Sequence, residues 1–232
     1  MKPAIAQADA RTITARWPLI SGTVAVALTV LLGTLIATRS SPFSLDQLVL
    51  DELLSIRATA FTGPALIMDF IGGGWFGIFA VPLGGTLALI LAGRRWSALY
   101  FIVASALSAG VVQSLKALVG RARPEEILVT TDIGSFPSGH VANAATLAAI
   151  LIVLVQRRWV IIVGIGYTLL MMLSRTYLGA HWLSDTIGGV LVGIGVAAIL
   201  RAPFARKLSA EVPWGRHGTE PGRGSYREKD ER

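Results

Sequence analysis

Three short polar clusters interrupt an otherwise apolar chain. Lys116 is followed, after six residues, by Arg123-Pro124. Pro137-Ser138-Gly139-His140 comes next. Ser174-Arg175 then precedes His181 and Asp185. These residue types describe a way to grip and cleave a phosphate ester. Phosphoryl transfer depends mostly on positioning and on neutralising the charge spread over the phosphoryl oxygens. Arg123 and Arg175 each offer a fork of N–H donors that matches a pair of oxygens, and Lys116 adds a point charge. Ser138 suits the cap of a helix start, whose free N–H groups form an anion site, and Gly139 lets backbone approach a ligand closely. A histidine one turn into a membrane helix, as His140 would be, is costly to place without a purpose. His181 and Asp185 are four positions apart, so on a helix they share a face. Asp185 would then hold one ring nitrogen as N–H and leave the other free to attack.

Each feature has a plainer reading when taken alone. Lys116 suits a lysine reaching from the end of a membrane span to the interface. Arg123 suits a loop arginine, and Ser138 suits a cap without a ligand. His181 and Asp185 suit a metal, which both residue types bind. Against the metal stand the cationic neighbours and the thin supply of carboxylates: only Glu125, Glu126 and Asp132 lie near, all in one loop. Metal catalysis needs several N, O or S ligands. No metal and no cofactor is therefore expected. Order and spacing together favour the phosphate reading.

Jointly the clusters resemble the signature of the type 2 phosphatidic acid phosphatase superfamily, over Lys116 to Asp185, about a third of the chain. The resemblance implies that His181 attacks phosphorus and forms a phosphohistidine, that Asp185 orients His181, and that His140 protonates the leaving oxygen. It implies that Lys116, Arg123, Ser138, Gly139 and Arg175 hold the phosphate oxygens, and that no metal takes part. All of these positions carry the residue that the pattern requires.

The elements that must position these groups follow from composition. Of 232 residues, 53% are hydrophobic and 15% charged, with mean hydropathy +0.63. Soluble domains run to about 45–50% apolar and about 25% charged. The chain reads as all-α and membrane-embedded. The formal net charge of +7 sits largely at the ends of apolar runs, which fits membrane anchoring rather than nucleic acid. Without cysteine, disulfides and thiol catalysis are excluded.

Six spans are expected: about 19–37, 75–92, 96–115, 140–155, 159–173 and 183–200. The first is read as an uncleaved span, because Ala37-Thr38-Arg39 makes a poor cleavage site. Pro82 in the second implies a kink, and Gly72-Gly73-Gly74 a break before it. Ser44 to Arg57 carries Leu45, Leu48, Val49, Leu53 and Ile56 at helical spacing, with charges between. It is expected to lie at the membrane surface as an amphipathic helix, with a capping box from Ser44 and Gln47. Residues 1–208 form the membrane domain, and 209–232 a disordered cytoplasmic tail, where His217 has no role. Asn143 and Gln113 are expected to bond between helices.

With the N-terminus inside, Arg94-Arg95, Arg157-Arg158 and Arg201, Arg206 and Lys207 face the cytoplasm, as the positive-inside rule requires. All three clusters then land on the outer face. The expectation is a lipid phosphate phosphatase of a bacterial plasma membrane, with both termini inside. Phosphatidic acid, phosphatidylglycerol phosphate and undecaprenyl diphosphate are candidate substrates. Rival readings are a phosphatase or phosphotransferase for soluble or specialised phosphates, and a lipid-binding or transport protein without turnover. The transporter reading conflicts with ionisable groups gathered at span ends rather than at the midplane.

Overall fold

The computed structural model describes residues 2–211. The fold is all-helical among them. In chain order come α1 (Lys2–Ala37), α2 (Ser44–Ser55), α3 (Thr59–Gly72), a π-helical turn (Phe76–Ala80) that runs into α4 (Val81–Leu91), α5 (Arg95–Val119), α6 (Gly139–Val155), α7 (Arg158–Tyr177) and α8 (Leu183–Ala210). Four stretches are long and apolar enough to cross a bilayer: 16–37, α5, α7 and α8. The broken pair of α3 and 76–91, bent by 42°, makes a fifth if it counts as one span. α6 is apolar but only 17 residues long.

The bundle closes around α8, which packs on α1, α5 and α6. Small residues allow this. A Cβ on Gly193 would lie 2.5 Å from the Ala142 carbonyl oxygen of α6, and one on Gly22 would lie 2.7 Å from that of Gly195. Lipid tails are as apolar as leucine, so close van der Waals packing of this kind holds membrane helices together. Val112, Ala142, Val192 and Val196 fill the seam between α5, α6 and α8. Two hydrogen bonds cross the bundle in its dry part: Tyr100 Oη donates to the Ala197 carbonyl at 2.9 Å, and Thr146 Oγ1 to Ser108 Oγ at 2.8 Å. Ile162, Leu169 and Leu173 of α7 point outward. Such a surface is a liability in water and costs nothing in lipid.

Several sequence expectations shift. α3 was not foreseen: the break at Gly72-Gly73-Gly74 falls inside the second membrane element, not ahead of it. Gly74 makes the break with φ +54, a left-handed conformation that glycine adopts at little cost. α7 continues to Tyr177, so it is long enough to span. α8 continues to Ala210, beyond the expected end of the domain. Glu211 caps the start of α5 there, accepting from Trp96 N at 2.6 Å. Residues 212–232, with His217, lie outside the described residues.

α2 forms as expected, with Leu45, Leu48 and Ile56 exposed. Its capping box does not form. Phe43 is the N-cap, no side chain caps the helix, and Gln47 donates instead to Asp51. Asp46, expected on the polar face, is buried.

Candidate active site

α5 ends one turn after Lys116, where Gly120 (φ 57) turns left-handed and returns its N–H to the Lys116 carbonyl. The loop 120–138 then folds back over the bundle. It is held by Ser135 N to the Arg121 carbonyl, 2.9 Å, and by Ser138 N to the Asp185 carbonyl, 3.0 Å. α6 starts at Gly139 with Ser138 as N-cap. α7 brings Arg175 to its last turn, and the bend before α8 carries His181. The three sequence clusters thus converge. Lys116, Arg123, Gly139, His140, Arg175 and His181 line one cavity of about 570 Å³.

His181 is held at one nitrogen. Its Nδ1 is 2.8 Å from the Ser135 carbonyl oxygen. A carbonyl only accepts, so Nδ1 carries the hydrogen and Nε2 keeps its lone pair. Burial pushes the ring down to about pKa 4, against the pull of Asp185, and the charges of Arg175 and Arg123 add to the downward shift. The ring is therefore neutral at physiological pH.

Asp185 sits differently from its sequence expectation. His181 precedes the helix, so the pair does not share a helical face. Asp185 Oδ2 is 3.6 Å from His181 Nδ1, too far for a hydrogen bond. It accepts the Trp182 N–H at 2.9 Å instead. Oδ1 accepts from Arg121 at 2.5 Å. Arg121 also reaches Asp46 of α2 at 2.7 Å and lies over the Trp182 ring at 5.5 Å. Asp46 in turn accepts from Ser184 N and Oγ. A buried chain therefore runs from α2 through Arg121 to Asp185 and the turn that carries His181.

The cations are engaged within the protein. Lys116 Nζ donates to Asp132 Oδ1 at 2.7 Å and to the Gly134 carbonyl at 3.2 Å. Arg123 Nη2 donates to the same carboxylate oxygen at 2.7 Å. Its Nη1 donates to the Ala180 carbonyl at 2.6 Å and lies 3.3 Å from His181 Nε2. Burial pushes the Arg123 guanidinium down, opposed by Asp132 and Asp185. Burial pushes the Asp132 carboxyl up, but the Lys116 hydrogen bond and the charges of Lys116 and Arg123 outweigh it and hold the group below the usual carboxylate range. Asp132 remains 54% exposed. The Ser138 hydroxyl and Arg175 Nε are buried and make no hydrogen bond within the described residues. Arg175 lines the cavity, whereas Ser138 lies behind its wall. A Cβ on Gly139 would meet only Val112, so glycine there widens the cavity rather than relieving a clash.

His140 meets a residue that the sequence reading missed. Its Nε2 is 3.1 Å from both the carbonyl oxygen and Oδ1 of Asp69 in α3. Asp69 also pairs with Arg175 Nη1. The available signal was a carboxylate inside the apolar stretch 60–72, since ionisable residues at membrane depth mark function. Asn143 bonds between helices as expected, donating to the carbonyls of Gly72 at 3.1 Å and Gly77 at 3.0 Å. Gln113 lines the cavity. Among the described residues, no three His, Cys, Asp or Glu side chains gather as metal ligands.

Comparison with known proteins places the chain in a family. Residues 97–207 match the PAP2 superfamily model. Lipid A 4'-phosphatase of Bacteroides thetaiotaomicron is 30% identical over 172 residues, 66% of this chain and 71% of that protein. Undecaprenyl-diphosphatase of Sulfolobus acidocaldarius is 41% identical over 59 residues, 25% of this chain and 28% of the other. The crystal structure of the transmembrane PAP2-type phosphatidylglycerolphosphate phosphatase from Bacillus subtilis shares the fold. Its TM-score is 0.71 at 22% identity, covering 81% of this chain and 96% of that one. The chain belongs to the PAP2 superfamily. It is a phosphoric ester hydrolase of the membrane lipid phosphatase type and a multi-pass membrane protein.

Proposed function

We propose that this protein dephosphorylates a membrane lipid at the outer face of a bacterial plasma membrane, through a phosphohistidine on His181. The observation that carries the reading is the state of His181. A neutral ring with its hydrogen fixed on Nδ1 lines the same cavity as Lys116, Arg123, Arg175 and His140. Nε2 attacks phosphorus as the bond to the lipid oxygen breaks. The electron pair goes to that oxygen, and His140 supplies its proton. Water then attacks the phosphohistidine and releases inorganic phosphate, with His140 taking a proton from that water. Lys116, Arg123, Ser138, Gly139 and Arg175 hold the phosphoryl oxygens. Asp185 fixes the turn that carries His181, through Trp182 N and Arg121. No step needs a metal or cofactor.

A lipid substrate fits the rest of the cavity wall. From the polar end the lining continues along α5 to Ile102 and across to Leu83 of α4. Four turns of α5 separate Ile102 from Lys116, about 21 Å at the helical rise of 1.5 Å per residue. A mostly apolar wall of that length, broken by Ser105, Ser108 and Gln113, suits a hydrocarbon chain better than a sugar phosphate. The six-span reading counts α6 as a span within the bundle. It places both termini in the cytoplasm, with Arg94, Arg157 and Arg201 on the inner side.

The test is phosphate release from phosphatidic acid, phosphatidylglycerol phosphate, undecaprenyl diphosphate and glucose 6-phosphate, with a chelator present. Turnover of a lipid and an acid-labile phosphoenzyme are expected, both absent in His181→Ala. Loss of turnover on chelation, or preference for the sugar phosphate, would overturn the reading.

A further inference from the structure

Asp69 enters the site from outside the three clusters. It lies on α3, in the half of the broken helix that the sequence did not reveal. Three features bring it to His140. Gly73 follows α3 immediately, and a Cβ built there would run into the His140 ring. Asn143, one turn beyond His140, donates to both Gly72 and Gly77 and so ties the break to α6. The π-helical turn at Phe76–Ala80 then redirects the chain into α4. The break, the glycine and the amide all serve one contact, Asp69 against His140 Nε2 at 3.1 Å. A carboxylate inside an apolar helix is costly unless paired, and its partners here are His140 and Arg175.

The surroundings of His140 leave this role to Asp69 alone. Arg175 of α7, Lys116 of α5, Arg123 of the loop and His181 ahead of α8 are the other basic groups around the cavity, and Asp132 of the loop already pairs with Lys116 and Arg123. The π-helical turn and α4 contain no titratable residue, and α6 contains none besides His140.

We propose that Asp69 is the positioning carboxylate of His140: it holds the ring through Nε2 and leaves Nδ1 to protonate the departing oxygen. The proposal rests on the function proposed above. It makes the enzyme a pair of differently held imidazoles, His181 buried and held at Nδ1 by a backbone carbonyl, His140 held at Nε2 by a carboxylate.

The test separates protonation of the leaving group from phosphate binding. Asp69→Asn is compared with wild type on a short-chain phosphatidic acid, whose alkoxide must be protonated to leave, and on p-nitrophenyl phosphate, whose phenolate leaves unaided. A positioned general acid contributes about 10²-fold or more. The variant is expected to lose about that in kcat on phosphatidic acid, with KM almost unchanged, and little on p-nitrophenyl phosphate. Gly73→Ala, which pushes the ring off Asp69, should show the same split to a smaller degree, and it decides the matter alone if Asp69→Asn does not fold. Equal losses on both substrates, or a raised KM, overturn the proposal and assign Asp69 to Arg175 and the phosphate. His140→Ala is the control for the underlying reading. If it shows no dependence on the leaving group, that reading fails and this proposal falls with it.

Discussion

The two histidines line one cavity but are held in unlike ways. His181 is only 2% exposed, gripped by a backbone carbonyl, and backed by a chain of buried charges that reaches α2. His140 has a side chain 20% exposed and meets a carboxylate on a broken helix. The first environment excludes a proton, and the second sets a carboxylate against a ring nitrogen. The His181 side is built by the loop 120–138 and the α7–α8 turn, and the His140 side by α3.

The largest way to break this asymmetry is to remove the nucleophile. His181→Ala should reduce kcat by about 10⁴-fold or more, the scale seen when a nucleophilic unit is disabled. Loss of His140 should cost about 10²–10⁴-fold, the range for general acid catalysis. Phosphoenzyme trapping distinguishes them. The His140 variant still forms the intermediate from p-nitrophenyl phosphate, and the His181 variant forms none.

The next effect tests the His181 side. Arg121→Leu leaves the carboxylates of Asp46 and Asp185 buried without their shared cation. Breaking a buried pair in this way costs about 3–5 kcal/mol. The midpoint of thermal unfolding in detergent should fall clearly, and residual activity should fall with it, because the turn carrying His181 loses its anchor. Asp46→Asn, whose one oxygen can still accept the Ser184 N–H, should cost less. Equal melting points for Arg121→Leu and wild type would mean that the chain from α2 is not what holds the turn.

The pH dependence sharpens the contrast directly. The His181 ring, with its pKa pushed by burial to about 4, should stay neutral from pH 8 down to near that value in an NMR titration of labelled histidine. His181→Gln assigns the signal among the three histidines of the chain. Unfolded, a histidine titrates near pH 6.5. The folded state resists the proton, so this contribution to stability is complete above about pH 6.5 and is lost as the pH falls through about 4. Titration of His181 near neutrality would contradict the burial and the Nδ1 hydrogen bond together.

What the sequence revealed divides along the same line. The three clusters were legible because charged residues stand out at the ends of long apolar runs, and their spacing survives in the fold. α5, α7 and α8 were legible for the same reason, as uninterrupted hydropathy. α3 was not. Thr59, Thr62, Gly63, Pro64 and Asp69 dilute its apolar pattern, and the triple glycine reads as a linker rather than as a bend within a span. Asp46 was misplaced because the periodicity of α2 puts it on the polar face. Its burial is decided by Arg121, 75 positions away, and no local pattern contains that pairing. The His181–Asp185 spacing suggested a shared helical face, but the chain caps α8 through Asp185 and Trp182 and so keeps His181 off the helix. Local signals picked out the clusters; long-range ion pairs decided how each group is held.

The smallest predicted effect concerns the exposed end of the phosphate site. Asp132 is held ionised by Lys116 and Arg123, and its carboxylate occupies the donors that an incoming phosphate needs. It is half in water, where an ion pair is worth little, so an arriving dianion can displace it. Asp132→Asn removes the competing charge while keeping the shape. Inorganic phosphate should then inhibit more strongly, by roughly the fewfold that an exposed pair is worth. The change in kcat should be slight, because Arg123 keeps its hydrogen bonds to the carbonyls of Ala180 and Gly134. A weaker phosphate inhibition in the variant would show instead that Asp132 organises the two cations, and would move it from competitor to part of the wall that holds His181.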